Sequence, residues 1–137
     1  MKRRIFKPLF VLWTLPNTIL GCVFGVVGLA FGGKVQIKRG AIEFYSGGTK
    51  WIMQHLLPNG QFVLAITLGH SILGQTEAAL DISRDHEHVH VRQYERWGPL
   101  FIPAYFIASF IAWMQGKDPY RGNSFEVEAY GQEPIGE

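Results

Sequence analysis

Two long stretches of the chain carry no charge, and the sequence between them is patterned at shorter range. No Lys, Arg, Asp, Glu or His lies between Lys7 and Lys34, nor between Arg96 and Lys117. The first stretch predicts a membrane helix. Taken whole, residues 9–31 reach about 34 Å at 1.5 Å per residue, enough to cross a bilayer. Pro16-Asn17 interrupts the run, and a break there would leave a longer piece of only about 21 Å. Gly21, Gly25 and Gly28 recur along one helix, and the Gly21/Gly25 pair permits close packing. The second stretch, GPLFIPAYFIASFIAWMQG (98–116), predicts another apolar helix, bracketed by Trp97 and Trp113 as interfacial anchors would be.

Between these stretches the period shortens. Residues 34–50 alternate apolar and polar with turn glycines, a weak strand signal. WIMQHLL (51–57) reads as a short helix ended by Pro58-Asn59-Gly60. FVLAITLGHSILG (62–74) is the best strand candidate, as one strand or as two bent at Gly69. RDHEHVHVRQYERWG (84–98) is ambiguous. Its strict HEHVHV alternation suits a strand with His86, His88 and His90 on one face. Its flanks favour a helix: Ser83 as N-cap, Asp85 in the first turn, Gly98-Pro99 as a stop. On a helix His86 and His90 share a stripe with Gln93 and Trp97, and His88 points the other way. A helix over residues 84–97 is the expectation.

Composition sharpens this picture. A chain of 137 residues is one domain's worth of material. Apolar residues make up 47% and aromatics 14%, yet mean hydropathy is only +0.07, so the apolar content is concentrated in the two uncharged stretches. That distribution suits a small membrane protein. A net charge of +2, with no basic patch beyond Lys2, Arg3, Arg4 and Lys7, argues against nucleic acid as a partner. A single cysteine, Cys22, excludes a disulfide framework and a thiolate metal site. The basic tail precedes an apolar run longer than a signal core, with Gly28-Leu29-Ala30 a passable cleavage site, and reads as an uncleaved anchor. The positive-inside rule then puts the N-terminus in the cytoplasm, and the expected location is a bacterial inner (cytoplasmic) membrane. The expected division is an N-terminal membrane anchor over 1–33 and a domain over 34–137 that includes the apolar helix 98–116. The expected class is α+β, with a short antiparallel sheet, the histidine helix and the second apolar helix.

Read as a helix, His86-Glu87-His88-Val89-His90 is an HExxH pattern. Imidazoles at i and i+4 can grip one Zn²⁺, and the intervening Glu87 lies beside the metal-activated water as general base. A third protein ligand must come from downstream: Asp118, Glu126, Glu128 or Glu133. The chain here resembles the HExxH zinc metallopeptidases of the gluzincin type (zincins), particularly the minimal ones. In those, HExxHxxQ on one helix is followed by a second helix carrying a Glu ligand in an E-x-x-A setting. His86, Glu87, His90 and Gln93 match the first part, Glu126 with Ala129 the second, and Tyr130 stands where several families keep an Asp. The resemblance implies His86, His90 and Glu126 on zinc, Glu87 as base, and Gln93 as helper to the ligands. It covers about fifteen residues, so it speaks of a site type.

Competing readings accompany each residue. Asn123 and Glu126 can form a capping box, with Glu128 then the substitute ligand. The histidines can be incidental to a solvated helix. His55 reads as a surface helix residue and His70 as a solvent-facing strand residue. A spanning 98–116 helix would put His86 and Glu126 on opposite sides of a membrane, so the zinc site and a second span exclude each other. The site is favoured, with 98–116 lying in or dipping into the membrane, or packing under the zincin fold, and returning to the same face. Strand 62–68 would offer an edge for a peptide substrate, by analogy with zincins. The functional expectation is a membrane-anchored zinc peptidase whose partners are membrane lipid and a peptide or protein substrate. Against it stands a non-catalytic small subunit of a larger membrane complex, its histidines holding a structural metal, a pigment or nothing.

Overall fold

A computed structural model describes residues 7–57 and 60–131. Helix α1 (Lys7–Ala30) leads into the hairpin β1 (Lys34–Lys38) and β2 (Ala41–Tyr45), then helix α2 (Gly47–Leu56). The hairpin β3 (Ala65–Leu68) and β4 (Ser71–Gly74) follows, then the long helix α3 (Glu77–Trp97), a 3₁₀ turn at Gly98–Leu100, α4 (Phe101–Met114) and α5 (Ser124–Gly131). The architecture is mixed α+β. The two hairpins join through β2 and β4 in the order β1-β2-β4-β3, and that central pairing is parallel. The sheet is therefore mixed, not antiparallel as expected: α2 lies between the hairpins in sequence and carries the chain back so that β4 runs alongside β2. Pro58 and Asn59, read as part of the stop after α2, lie outside the described residues.

Local chemistry explains most element boundaries. Gly69, at φ 65°, takes the first turn position between β3 and β4, a conformation that costs glycine little. Helix α3 begins seven residues earlier than the expected start at residue 84. Thr76 is its N-cap, accepting a bond from the Ala79 N–H at 3.0 Å, whereas Ser83 sits inside the helix and donates to the Ala79 carbonyl. A helix interior satisfies its own N–H groups, so a mid-helix serine has no cap role left to fill. Gly98, at φ 57°, closes α3. The HEHVHV alternation is thus overridden by the helical frame around it.

The sheet is covered on both faces. On one, α3 packs on Ala41, Tyr45 and Ile72 through Leu80 and Val91. Arg84 adds an ion pair to the fully buried Glu43 of β2, through two bonds of 2.9 and 3.0 Å. On the other face Phe44, Leu68 and Leu73 meet Met53 of α2 and Cys22, Phe24 and Leu29 of α1. Helix α1 runs through Pro16 unbroken. Its glycines seat the sheet and α2: a Cβ at Gly21 would collide with Ser71, at Gly25 with Phe44 and at Gly28 with Thr49. By length and composition, two helical stretches, Val11–Ala30 and Glu77–Met114, are apolar enough to cross a membrane.

Candidate metal centre

The long helix α3 carries His86 and His90 one turn apart, both buried. After α4 the chain reverses through Gln115–Pro119, and Asn123 caps α5 by accepting the Phe125 N–H at 2.8 Å. Helix α5 then delivers Glu126 to the pair. Its Oε1 lies 3.0 Å from His86 Nε2 and 3.1 Å from His90 Nε2, and the two Nε2 atoms are 3.2 Å apart. Hydrogen bonds alone do not satisfy this triangle. If both rings donate to the carboxylate, their N–H groups oppose each other, and if one ring accepts from the other it loses its bond to Glu126. A cation at the centre resolves the conflict. Tetrahedral zinc with bonds of about 2.05 Å would hold its ligand atoms roughly 3.4 Å apart, close to the three distances found. His86, His90 and Glu126 form the group of potential ligands among the described residues, their ligand atoms all within 4.8 Å of one another.

Neighbouring groups fix the triangle. His90 Nδ1 donates to Gln93 Oε1 at 2.8 Å, and the Gln93 amide is held in that sense because its Nε2 donates to the Phe125 carbonyl and to Glu128. Nδ1 thus keeps its own proton, so that once Nε2 gives up the proton it shares with Glu126 its lone pair faces the centre, the arrangement a metal ligand needs. Tyr105 of α4 donates to Glu126 Oε2 at 2.6 Å, so the carboxylate presents one oxygen inward. The ring of Tyr130, at the position where the resembling families keep an Asp, packs on the His86 ring with centroids 4.4 Å apart. Burial alone would raise the Glu126 pKa; the bonds from His86 and His90 outweigh it and hold the carboxyl down to about 2. Burial would lower the His90 pKa, but the bond to Glu126 carries it up to about 9.

Glu87 occupies the cavity side of the same helix, where Thr67 donates to its Oε1 at 2.8 Å. Burial raises its pKa, against the pull of His90 and His86. The cavity, about 740 Å³, has His86, Glu87, His90 and Glu126 among its lining, and β3 forms one wall. Strand β3 is an edge of the sheet. Leu68 and Ser71 flank its two-residue turn and so form a hydrogen-bonded pair; by alternation Ala65 and Thr67 turn their main chain to the open edge. The Tyr94 hydroxyl donates to the Thr67 carbonyl on that side.

The other sequence candidates fall elsewhere. Glu128 pairs with Gln93 and Arg96, away from the two imidazoles. Asp118 Oδ1 caps the turn at Tyr120 and Arg121, and Glu133 lies outside the described residues. The capping-box partner of Asn123 is missing, because the Glu126 carboxylate is spent on the histidines and Tyr105. His55 is exposed and stacks on Trp51, as expected of a surface residue. His70 does not face solvent: it sits in the β3–β4 turn between Thr14 (2.9 Å) and Glu95 (3.0 Å). Tyr105 gave no sequence signal, being one aromatic in an apolar helix. Comparison with protein-family models, with curated proteins and with solved structures finds no match for the chain.

Proposed function

We propose that the chain is a membrane-associated, zinc-dependent peptidase of minimal zincin-like build. The observation that carries this reading is the convergence of two Nε2 atoms and one carboxylate oxygen at 3.0–3.2 Å, with Glu87 beside them on the wall of an apolar cavity. His86, His90 and Glu126 would hold the ion and leave one position open, as a hydrolytic site requires. When bound, zinc supplies Lewis-acid chemistry that acidifies water and polarises a carbonyl.

The chain's own residues do the rest. Gln93 and Tyr105 orient the ligands. Glu87, its burial favouring a shared proton, takes the proton from the attacking water and returns it to the leaving amine. Thr67 anchors the Glu87 carboxyl and holds its second oxygen free. The edge of β3 at its partly exposed start, through Ala65, offers main-chain partners to an extended peptide laid across the cavity. Association with a membrane is supported by the two apolar helical stretches.

The test is zinc content and peptide hydrolysis of the purified full chain beside Glu87→Gln. The expected result is equal zinc in both and hydrolysis lowered by roughly 10²–10⁴ in the variant, the usual worth of a general base. Zinc-free, inactive protein that copurifies with a larger membrane complex would instead make the chain a non-catalytic subunit.

A further inference from the structure

We infer that α1 does not cross the bilayer but lies in its surface, so that the chain is monotopic, with α1 and α4 immersed side-on and the metal centre on the water side. This inference rests on the membrane part of the proposed function and is independent of hydrolysis.

The first argument is packing. Buried positions Thr14, Asn17, Gly21, Gly25 and Gly28 form one stripe along α1, about 21 Å at 1.5 Å per residue. Polar bonds dock that stripe to the domain throughout its first half. Asn17 Nδ2 donates to the Gly98 carbonyl at 3.0 Å, Thr14 meets His70, and the His70 N–H reaches Thr18 Oγ1 at 2.9 Å. The glycines dock the second half against β4, β2 and α2. A helix held along its length cannot span unless the sheet enters the hydrocarbon with it. That sheet has two open edges, and β1 presents Lys34 and Lys38, both exposed, on one of them. Unpaired strand edges and exposed lysines are excluded from hydrocarbon.

The second argument is what the outer surfaces carry. At 100° per residue, Leu12, Ile19, Val23 and Val26 fall opposite the buried stripe, and all four are exposed. Helix α4 likewise exposes Ile107, Phe110, Ile111 and Met114. Each helix thus presents a run of large apolar side chains to its surroundings, which water-facing surfaces seldom carry. The tryptophans select the bilayer over a second copy of the chain as the covering partner. Trp13, Trp51, Trp97 and Trp113 are each 43–63% exposed, the habit of residues in an aromatic belt at the headgroups. The return of α5 to the histidines adds a constraint: Glu126 meets His86 at 3.0 Å, so α4 begins and ends on the same side.

Spin labels on the full chain, bound to vesicles of mixed neutral and anionic phospholipid, test this. Single cysteines replace Leu12, Ile19, Val23 and Val26 in a Cys22→Ser background, with Phe110 as a fifth site. The five label sites are exposed, and Cys22→Ser keeps nearly the volume of the half-buried thiol, so folding should survive. Oxygen and nickel collision rates report label depth. An in-plane helix gives similar depths at all five sites, about 5–10 Å below the headgroups. A spanning helix puts Ile19 about 10 Å deeper than Leu12 or Val26, from the 1.5 Å rise, and that profile overturns the inference. Labels that remain in water, or that broaden through contact with a second copy, overturn it too and with it the membrane reading.

Discussion

Among the described residues stand two largely buried histidine–glutamate clusters, and their contrast shows what marks a candidate metal site. His86, His90 and Glu126 form one; His70, Glu95 and Thr14 form the other. Burial does not separate them, since the side chains of His86 and Glu126 are 7% and 5% exposed and those of His70 and Glu95 15% and 7%. Bond length does not either, at 3.0 Å in both. Direction does. His70 sits between two partners on opposite sides of its ring, so its nitrogens face apart and no common point exists for a cation. The His86 and His90 nitrogens face each other and share one oxygen, beside a cavity that has none of the second cluster in its wall. The second cluster instead ties α1 to the sheet turn and to α3.

The largest effect expected from this contrast is on zinc affinity. His86→Ala or Glu126→Ala should weaken zinc binding by more than about 100-fold, beyond what loss of a supporting residue costs. Glu95→Gln should leave zinc affinity nearly unchanged and lower stability by about 1–3 kcal/mol, as a buried charged hydrogen bond is weakened. Competitive titration against a zinc chelator, with melting curves on the same samples, reads both. Comparable zinc loss in Glu95→Gln would erase the distinction.

A pH series sharpens it. His90, carried up to about 9 by Glu126 despite its burial, holds a proton at neutral pH that an incoming metal must displace. Zinc affinity should therefore rise with pH from 6.5 to 9, by about tenfold per unit for one released proton. The zinc-free chain should behave oppositely. A group whose folded pKa is raised contributes stability that is full below its unfolded value, about 6.5, and is lost as pH rises through the folded one. Melting temperature should fall from pH 6.5 to 9.5 in chelator and hold or rise with zinc. Parallel curves with and without zinc would show that His90 is not where the metal binds.

Much of this was legible in the chain, for definable reasons. Helix type at 84–97, the apolar helix after it, the reversal at Gln115–Pro119 and the fresh start at Asn123 all follow from caps, breakers and period, which are local. The hairpin bent at Gly69 was visible as an alternative because a glycine marks the turn. The parallel pairing of β2 with β4 was not, since a four- or five-residue strand does not encode its neighbour. Ser83 was misread as a cap because the turn after Thr76, Glu77-Ala78-Ala79, holds no large apolar residue whose period would reveal a helix. His70 was misplaced because its partners Thr14 and Glu95 lie 56 and 25 residues away. Tyr105 and the docked stripe of α1 are equally tertiary: an apolar helix that inserts and one that packs on a domain read alike.

The smallest effect belongs to the third histidine of the alternating trio. His88 is buried on α3, and its Nε2 has no hydrogen-bond partner among the described residues. Burial, with the nearby Arg39 guanidinium, lowers its pKa to about 4, so the ring is neutral at pH 7. A strand would have placed it with His86 and His90; the helix turns it away from Glu126. An unpartnered buried polar atom costs about 1–3 kcal/mol, and leucine would bury a similar volume without that cost. His88→Leu should thus leave zinc affinity unchanged and melting temperature unchanged or slightly higher. A fall in zinc affinity of the size expected for His86→Ala would make His88 a ligand and return the segment to a three-histidine site.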